Sequence, residues 1–449
     1  MQYFPRDIEL GLLRWSQSED RKPLVLRGPR QVGKTSVVDE FGKRFDNYLY
    51  INLYDEENCR LIDDAADVRR LVQAFFIKAG KVKKDGRTLL FLDEIQNSPK
   101  AVLWLRFFYE QMPEIYVIAA GSLLETMIDR QISFPVGRVE YMAMRPVSFR
   151  EYLSANGDAM IRQAIEEDYT AASAFHKRLE DAYKAYSLIG GMPAVVAQYI
   201  KHHDFIALDR FYDTLLNGYA DDVEKYAANR TQLEVIRLIL KVGWAQAGRQ
   251  ISFVNFGLSN YKSREMGEAM RTLEKAMVLE LVYPTTQTSM PALPNMRRQP
   301  KLLWMDAGLA SAAVNNRKDI FNSRNLFDIW KGAFAEQLVG QELFTLSDSV
   351  RAKRMFWVNE NTQSSAEVDF LYLYDGQLIP VEVKLGHNNH LKSLHQYIEL
   401  SASDIAVRVW DAPLQIDEVK TLQKKRKFKL LNIPFYMVGF LPQILRSIV

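Results

Sequence analysis

Short apolar runs alternate with amphipathic stretches over the first third of the chain. The runs LVL, YLYINL, TLLFLD and YVIAAG fall between Leu24 and Gly121, and the segments between them carry apolar residues at helical spacing. Strands that alternate with helices are typical of a parallel sheet covered by helices. The pattern therefore predicts an α/β domain over residues 1–150.

The pattern changes three times further along. Residues 151–225 have helical spacing, broken by a loop-like GGMP at 190–193, and predict a helical lid. Residues 226–317 show short helices and then two β-like runs around a Pro-rich loop, which predicts a winged-helix domain. Residues 318–449 mix a long helix with strands and predict a second α/β domain.

Composition and charge narrow the class of protein. The chain has 449 residues with 48% hydrophobic and 25% charged side chains, which is ordinary for a globular protein of several domains. The net charge of +3 is too small to indicate nucleic-acid binding by itself. The single Cys59 excludes an intrachain disulfide and a Cys-based zinc site. Because neither an apolar signal core nor a membrane-spanning run is evident, we expect a cytoplasmic protein with no membrane partner.

The segment after the first apolar run fits a phosphate-binding motif. Its sequence, GPRQVGKT, matches G-x-x-x-x-G-K-[ST], with a strand-like run before it and helical spacing after it. Backbone N–H groups of such a loop close around phosphates, and the helix directs its positive end toward them. The residues expected to contact ATP are Gly28, Pro29, Arg30, Gln31, Val32, Gly33, Lys34, Thr35 and Ser36. Lys34 should act in catalysis at the β and γ phosphates, and Thr35 should bind Mg²⁺.

Two carboxylates end the third apolar run. In LLFLDE, Asp93 is placed to hold Mg²⁺ and Glu94 to orient or deprotonate the attacking water. The pair favours hydrolysis of ATP by water. A P-loop kinase is the alternative, although such an enzyme does not need Glu94. Ser122, after the next apolar run, either senses the γ-phosphate as a nucleotide contact or caps the helix that follows.

Phosphoryl transfer also calls for a guanidinium near the developing negative charge, supplied by the same chain or by a neighbour in a homo-oligomer. Arg138, in PVGRVEYMAMRPVSF, is the first catalytic candidate, and Arg130 and Arg145 are the second choices. An ordinary surface arginine is the alternative for each.

The apolar spacing between residues 250 and 284 gives a short helix, a turn near residues 257–260 and a second helix, which is typical of a helix-turn-helix. The β-like runs at 279–283 and 301–305 would form a wing with Arg297, Arg298 and Lys301 at its tip. The outward charges of the second helix are mixed: Lys262, Arg264 and Arg271 beside Glu265, Glu268 and Glu274. Contact with DNA and contact with protein therefore both remain open.

The stretch AEVDFLYLYDGQLIPVEVKLG places Asp369 on one strand and Glu382 and Lys384 on one face of the next. Carboxylates from adjacent strands can hold Mg²⁺ or Mn²⁺, while an ammonium beside them stabilises charge on a phosphate as a catalytic group. Glu336, in an upstream helix, is expected to complete the metal site, and Gln396 is expected to buttress it.

Together these residues resemble the PD-(D/E)XK fold of restriction-endonuclease-like enzymes. Val368 stands where that motif has its proline. The resemblance implies a nuclease-like fold, while cleavage by this chain remains a separate question.

The motifs GPRQVGKT, LLFLDE, AAGSLLE, GRVEYMAMRPVSFREYL and GGMP, in that order, resemble those of a bacterial and archaeal family of predicted AAA-type ATPases. The resemblance covers nearly the whole chain, because that family also carries a C-terminal domain of unknown function. It implies an ATPase core related to the signal-transducing ATPases, in which Gly191 and Pro193 of the lid sit against the nucleotide. A bare loop between two helices is the alternative for these two residues.

Two hypotheses follow. In the first, the chain is an ATP-hydrolysing switch or motor whose nucleotide state positions a winged helix and a nuclease-like domain on nucleic acid. In the second, it is an ATP-gated signalling or scaffold protein with a catalytically silent nuclease-like domain. Stimulation of the ATPase by DNA would favour the first hypothesis.

Overall fold

The computed structural model describes residues 3–121, 134–222, 227–314, 332–361, 364–385 and 391–448. The helices, in chain order, are α1 (Ile8–Gln17), α2 (Lys34–Gly42), α3 (Glu56–Asp64), α4 (Val68–Lys78), α5 (Pro99–Gln111), α6 (Phe149–Ala155), α7 (Ala159–Glu167), α8 (His176–Ile189), α9 (Pro193–His202), α10 (Asp209–Asp221), α11 (Arg230–Val242), α12 (Ser263–Lys275), α13 (Ala307–Ala313), α14 (Ala333–Thr345), α15 (Lys392–Leu400) and α16 (Leu441–Ile448). The strands are β1 (Leu24–Arg27), β2 (Asn47–Asn52), β3 (Thr88–Asp93), β4 (Ile115–Gly121), β5 (Glu140–Ala143), β6 (Leu279–Thr285), β7 (Lys301–Trp304), β8 (Met355–Val358), β9 (Glu367–Tyr374), β10 (Gln377–Val383), β11 (Ile405–Trp410), β12 (Gln415–Lys420) and β13 (Lys427–Pro434).

The first five strands form a parallel sheet in the order β2-β3-β4-β1-β5. Both faces are covered: Leu89 and Phe91 of β3 pack into one core, and Leu90 and Leu92 pack into the other. A strand buried on both faces has no polar side to show, which explains the continuous apolar runs of the sequence. The predicted α/β sheet is confirmed, and β5 is an additional strand that the sequence pattern did not indicate.

The second sheet has eight strands in the order β12-β13-β11-β10-β9-β8-β6-β7, with parallel and antiparallel neighbours. The hairpin predicted as a wing belongs to it: β6 pairs antiparallel with β7 and parallel with β8, with Tyr283 opposite Met355. Every residue of β6 is buried, and a hairpin with such a strand needs cover on both faces. The boundary predicted between residues 317 and 318 would divide this sheet.

One hydrophobic core joins the lid helices to the second sheet. It includes Tyr186 of α8, Met270 of α12, Phe370 of β9 and Val407 of β11. The five-stranded sheet has its own cores on its two faces. The lid therefore shares a core with the C-terminal half, and it contacts the segment after β5 through the hydrogen bond from the Val147 N–H to the Gly191 carbonyl oxygen.

In the part of the chain that the structure describes, no helix has the length and apolar character needed to cross a membrane.

Candidate functional sites

The phosphate-binding loop lies between the end of β1 and the start of α2. Gly33 adopts φ +93°, a left-handed conformation that strains any residue with a side chain. A Cβ at Gly28 would stand 2.5 Å from the carbonyl oxygen of Met144, so a side chain there would collide with the neighbouring backbone. The two glycines thus allow the loop to fold tightly at the carboxyl edge of the sheet, where ligands bind in open α/β folds.

Lys34 is buried inside this loop. Its Nζ donates hydrogen bonds to the carbonyl oxygens of Gly28, at 3.0 Å, and Pro29, at 2.8 Å. Burial lowers the pKa of Lys34 to about 8, while Glu94 and Asp93 act in the opposite direction. Phosphate oxygens beside this ammonium would offset the cost of burying it.

Thr35 and Asp93 join the loop to the end of β3. The Thr35 hydroxyl donates to Asp93 Oδ2 at 2.8 Å, and the Tyr50 hydroxyl reaches the same oxygen at 3.3 Å. Burial and the neighbouring Glu94 raise the pKa of Asp93. A hydroxyl and a carboxylate beside a phosphate loop are the oxygen donors that Mg²⁺ prefers, so these two residues fit the predicted metal.

Glu94 follows β3 in a left-handed conformation with φ 53°. A residue with a side chain pays a conformational cost there, of about 1 kcal/mol or more. Its half-buried carboxylate accepts a hydrogen bond from the side-chain amide of Gln96. The sharp turn separates Glu94 from Asp93, so the two carboxylates can serve different atoms of a bound Mg·ATP.

The GGMP loop brings Pro193 to the phosphate-binding loop. A Cβ at Gly33 would lie 3.8 Å from Pro193 Cγ, which places the start of α9 beside the end of the loop. Gly191 is fixed from both sides, because its carbonyl oxygen accepts from the Val147 N–H at 2.7 Å and its own N–H donates to Asp306 Oδ2 at 2.5 Å. The expected position of the Gly-x-Pro pair beside the nucleotide is thus geometrically available.

A second group of charged residues lies in the C-terminal half, around Lys301 of β7. Its Nζ lies 2.7 Å from Glu336 Oε2, 2.8 Å from Glu367 Oε1 and 3.2 Å from Asp369 Oδ1. Lys301 is only 2% exposed. Burial alone would lower its pKa, but Asp369, Glu336 and Glu367 outweigh this effect and raise it. The prediction that Lys301 lies at an exposed wing tip is therefore wrong, because its side chain turns into the protein toward three carboxylates.

The predicted metal ligands are divided between two lysines. Glu336 and Asp369 contact Lys301, whereas Glu382 Oε1 lies 2.7 Å from Lys384 Nζ. Glu382 Oε2 is buried without a hydrogen-bond partner. Burial and the nearby Asp369 raise the pKa of Glu336 and of Glu382.

The residues of this cluster do not fit the predicted metal. With Lys301 in place, no three Asp, Glu, His or Cys side chains among the described residues are grouped so that they could hold an ion. The carboxylates predicted to surround the metal instead surround an ammonium. The predicted ligand set of Glu336, Asp369 and Glu382 is corrected accordingly. Lys384 remains beside Glu382, as predicted from their spacing on the strand.

Three family models match consecutive parts of the chain. Residues 20–153 match an AAA domain. The chain contains an AAA-type P-loop ATPase domain. Residues 180–319 match a domain of unknown function (DUF8612), and residues 331–436 match another (DUF4143). An AAA-family P-loop domain implies binding and hydrolysis of ATP.

Solved structures show weaker similarity. The Walker-type ATPase of Pyrococcus abyssi is 15% identical with a TM-score of 0.44, over 70% of this chain and 96% of that chain. The Aeropyrum pernix ORC1 protein, solved in complex with DNA, is 14% identical with a TM-score of 0.27, over 71% of this chain and 93% of that chain. AMPPCP-bound DnaA from Aquifex aeolicus is 11% identical with a TM-score of 0.26, over 61% of this chain and 90% of that chain. A search of curated proteins gives no significant match.

The candidate arginines of the AAA domain lie in different places relative to the phosphate-binding loop. Arg138 precedes β5, whose first residue pairs with Leu24 at the start of β1, so it lies at the amino edge of the sheet. The four residues of β1, roughly 13 Å of strand, separate that edge from the phosphate-binding loop. Arg138 Nε instead contacts Glu110 Oε1 at 2.9 Å. It is therefore not placed to reach the nucleotide of its own chain, and a role across an interface stays a prediction.

Arg145 is buried, and its guanidinium lies 3.5 Å from the centre of the Phe344 ring. It is thus packed against α14 rather than exposed toward the nucleotide. Arg130 and Ser122 lie outside the described residues. Gln396 lies in α15, which packs on β9, β10 and β11. No contact of Gln396 with the Lys301 cluster is present in the described part of the chain.

Sequence reasoning missed Arg6, which contacts the loop from the N-terminal segment. Its guanidinium donates to the carbonyl oxygens of Val32, at 3.0 Å, and Arg145, at 2.7 Å, and lies 3.1 Å from Glu151. No local motif marks this arginine. Arg30, predicted as a phosphate contact, forms an ion pair with Asp222 at the end of α10. The Tyr219 hydroxyl donates to the Arg30 carbonyl oxygen at 2.6 Å, so α10 is attached to the loop as well.

Proposed function

We propose that this protein binds Mg·ATP, hydrolyses it, and uses the nucleotide state to control the contact between its AAA domain and its lid and C-terminal half. The hydrogen bond between Thr35 and Asp93 carries the first part of the proposal. It places a hydroxyl and a carboxylate at the mouth of the phosphate-binding loop, beside the buried ammonium of Lys34.

Each residue has a defined task. Lys34 contributes positive charge to the β and γ phosphates, and the N–H groups at the start of α2 bind their oxygens. Mg²⁺ held by Thr35 and Asp93 would neutralise phosphate charge during transfer. Glu94, turned away from Asp93 by its left-handed backbone, orients the attacking water.

The lid supplies the mechanical link. Pro193 lies beside Gly33 of the phosphate-binding loop, while Gly191, two residues earlier, donates to Asp306 at the start of α13. Arg6 connects the Val32 carbonyl oxygen to Glu151 of α6. A displacement of the loop on nucleotide binding would therefore be passed to the lid by both of these contacts, and also by α10 through its contacts with Arg30.

Nucleotide binding and phosphate release by the purified full chain test the ATPase proposal. We expect Lys34→Ala to abolish nucleotide binding, because it removes the phosphate-binding charge. Glu94→Gln should retain binding and lose turnover by about a hundredfold or more, because it removes only the carboxylate that orients water. Glu57→Gln, at an exposed position of α3, is the matched control. Undiminished hydrolysis by Glu94→Gln would contradict the assignment.

A second candidate function is control of nucleic-acid binding by the nucleotide state. It is supported by the exposed Arg297 in the loop between β6 and β7 and by the exposed Lys262 before α12. The helix itself is less favourable, because Arg264 pairs with Glu268 at 2.9 Å. A protein partner at the same surface is the competing interpretation.

The nucleic-acid proposal is tested by ATP hydrolysis with and without duplex and single-stranded DNA. Stimulation that Arg297→Ala weakens and that Arg60→Ala, an exposed residue of α3, leaves intact would support it. Hydrolysis that is indifferent to every nucleic acid would favour the ATP-gated scaffold.

A further inference from the structure

The carboxylate cluster of the C-terminal sheet is built around an ammonium. Lys301 enters from β7, Glu336 from α14, and Glu367 and Asp369 from neighbouring positions on one face of β9. A lysine ammonium has three N–H donors, and here three carboxylates lie within 3.2 Å of it. The ammonium donates a hydrogen bond to Asp369 and forms close ion pairs with Glu336 and Glu367.

Two of the carboxylates also accept hydrogen bonds on the oxygen that does not contact Lys301. Glu367 Oε2 accepts from the Gln250 side-chain amide at 2.6 Å, and Asp369 Oδ2 accepts from the Val383 N–H at 2.8 Å. The Phe356 ring centre lies 4.8 Å from Lys301 Nζ and adds a favourable aromatic face. These contacts fix the oxygens toward the ammonium independently of any further ion.

We propose that Lys301 is a built-in cation that takes the place of a divalent metal in this cluster, so that the C-terminal sheet domain keeps its structure without Mg²⁺ or Mn²⁺.

Charge and space both disfavour a divalent ion beside Lys301. A divalent ion needs the same oxygens at roughly 2.0–2.6 Å, and the Lys301 nitrogen already lies among them. An ion entering beside it would meet the repulsion of a buried ammonium in a region of low dielectric. Removal of the ammonium would instead leave three carboxylates on neighbouring elements, which is an attractive environment for a hard cation.

The test is Mn²⁺ binding to the nucleotide-free full chain, measured by electron paramagnetic resonance of the free ion. We compare the wild type with Lys301→Met, which keeps an unbranched side chain one atom shorter and removes its charge. Lys384→Met is the matched control, because this lysine contacts Glu382 and not the three carboxylates around Lys301. Any weak binding at the AAA domain is common to all variants and cancels.

We expect Lys301→Met to bind about one more Mn²⁺ per chain than the wild type, at a site with the oxygen ligands that this ion prefers. The added site should disappear in the double variant Lys301→Met/Asp369→Asn and should be absent from Lys384→Met. Mn²⁺ should also raise the melting temperature of Lys301→Met and leave that of the wild type unchanged. Equal Mn²⁺ binding by folded Lys301→Met and wild type would overturn the proposal.

Wild type and Asp369→Asn keep the proposal testable if circular dichroism shows that Lys301→Met does not fold. Equal Mn²⁺ binding by these two chains supports the built-in cation. One fewer Mn²⁺ in Asp369→Asn overturns it. Metal-dependent cleavage of plasmid DNA by the wild type that Asp369→Asn removes would overturn it as well.

Discussion

Thr35 donates its hydroxyl to Asp93 across 2.8 Å, joining the first turn of α2 to the last residue of β3. The two residues are far apart in sequence, and β4 lies between β3 and β1, the strand that leads into the loop and α2. Their contact is the point at which a phosphate-binding loop gains the second ligand that a metal nucleotide requires.

Asp93→Asn should separate binding of the nucleotide from its response to Mg²⁺. The amide keeps an oxygen that can accept from Thr35 and loses the negative charge. We expect affinity for ATP in EDTA to stay within about twofold and the gain in affinity on adding Mg²⁺ to vanish, with hydrolysis falling about a hundredfold or more. Fluorescent-nucleotide titrations with and without Mg²⁺ measure both.

Asp39→Asn is the control for this experiment, because Asp39 is an exposed carboxylate on α2 that accepts from Tyr48 at 2.5 Å. A Mg²⁺ response that survives in Asp93→Asn would remove Asp93 from the metal site.

The sequence predicts an element correctly where the cause of that element lies within a few neighbouring residues. The apolar runs predicted β1 to β4 because both faces of those strands are buried, and GPRQVGKT predicted the loop because its glycines meet a steric demand within a few residues. β5 has no continuous buried apolar run to indicate it, because it is short and carries Tyr141, a large aromatic residue that is 42% exposed.

The rest depends on contacts between distant residues. Lys301 looked like a wing-tip cation because its neighbours Arg297 and Arg298 are basic, but its partner Glu336 comes from a helix 35 residues away and Asp369 from a strand 68 residues away. Glu367 lies two residues before Asp369 and thus on the same face of the strand, a spacing that is visible in the sequence. Its proximity to Lys301 depends on the fold and has no local signal.

Arg138 should contribute to ATP hydrolysis only if it acts on the nucleotide of a neighbouring subunit. Its position at the amino edge of the sheet separates it from its own nucleotide. If it acts in trans, hydrolysis per subunit should rise with protein concentration. A mixture of Arg138→Ala and Lys34→Ala chains should then recover activity that neither shows alone, because each supplies what the other lacks.

Arg106→Ala is the matched control, because Arg106 is exposed and contacts the same Glu110, at 3.0 Å. Normal turnover by Arg138→Ala alone at all concentrations would show that Arg138 takes no part in catalysis.

Glu342 should make the joint between lid and C-terminal half sensitive to pH. It is buried on α14 and accepts from the Phe149 N–H at 3.1 Å and the Tyr186 hydroxyl at 2.8 Å. Burial raises its pKa from 4.5 to about 7, while these hydrogen bonds act in the opposite direction. Because the folded state holds the proton of Glu342 more tightly than the unfolded state does, the protonated Glu342 stabilises the fold. This contribution is fully present below pH 4.5 and is lost as the pH rises to about 7.

The contribution to the free energy of unfolding is at most about 3 kcal/mol over this range. Glu342→Gln should flatten that part of the pH dependence, because the amide oxygen can accept from both donors and does not ionise in this range. Urea denaturation between pH 4.5 and 8 measures the slope, with Glu114→Gln at an exposed position as control. An unchanged slope in Glu342→Gln would show that another group is responsible.

Gly191→Ala should uncouple the lid from the phosphate-binding loop. A Cβ at this position would lie 2.2 Å from the Val147 carbonyl oxygen, which is backbone and has little room to yield. The GGMP loop must then shift and carry Pro193 away from Gly33. We expect weaker ATP binding and at least a tenfold loss of hydrolysis, with the C-terminal core intact by circular dichroism and thermal melting.

Gly218→Ala is the matched control, because its added Cβ would meet only the Gln31 side chain at 3.9 Å, and alanine within α10 favours the helix. If Gly191→Ala binds and hydrolyses ATP as the control does, the contact between Pro193 and the loop has no part in the ATPase cycle, and the link between the two halves of the molecule must pass through Arg6 or α10 instead.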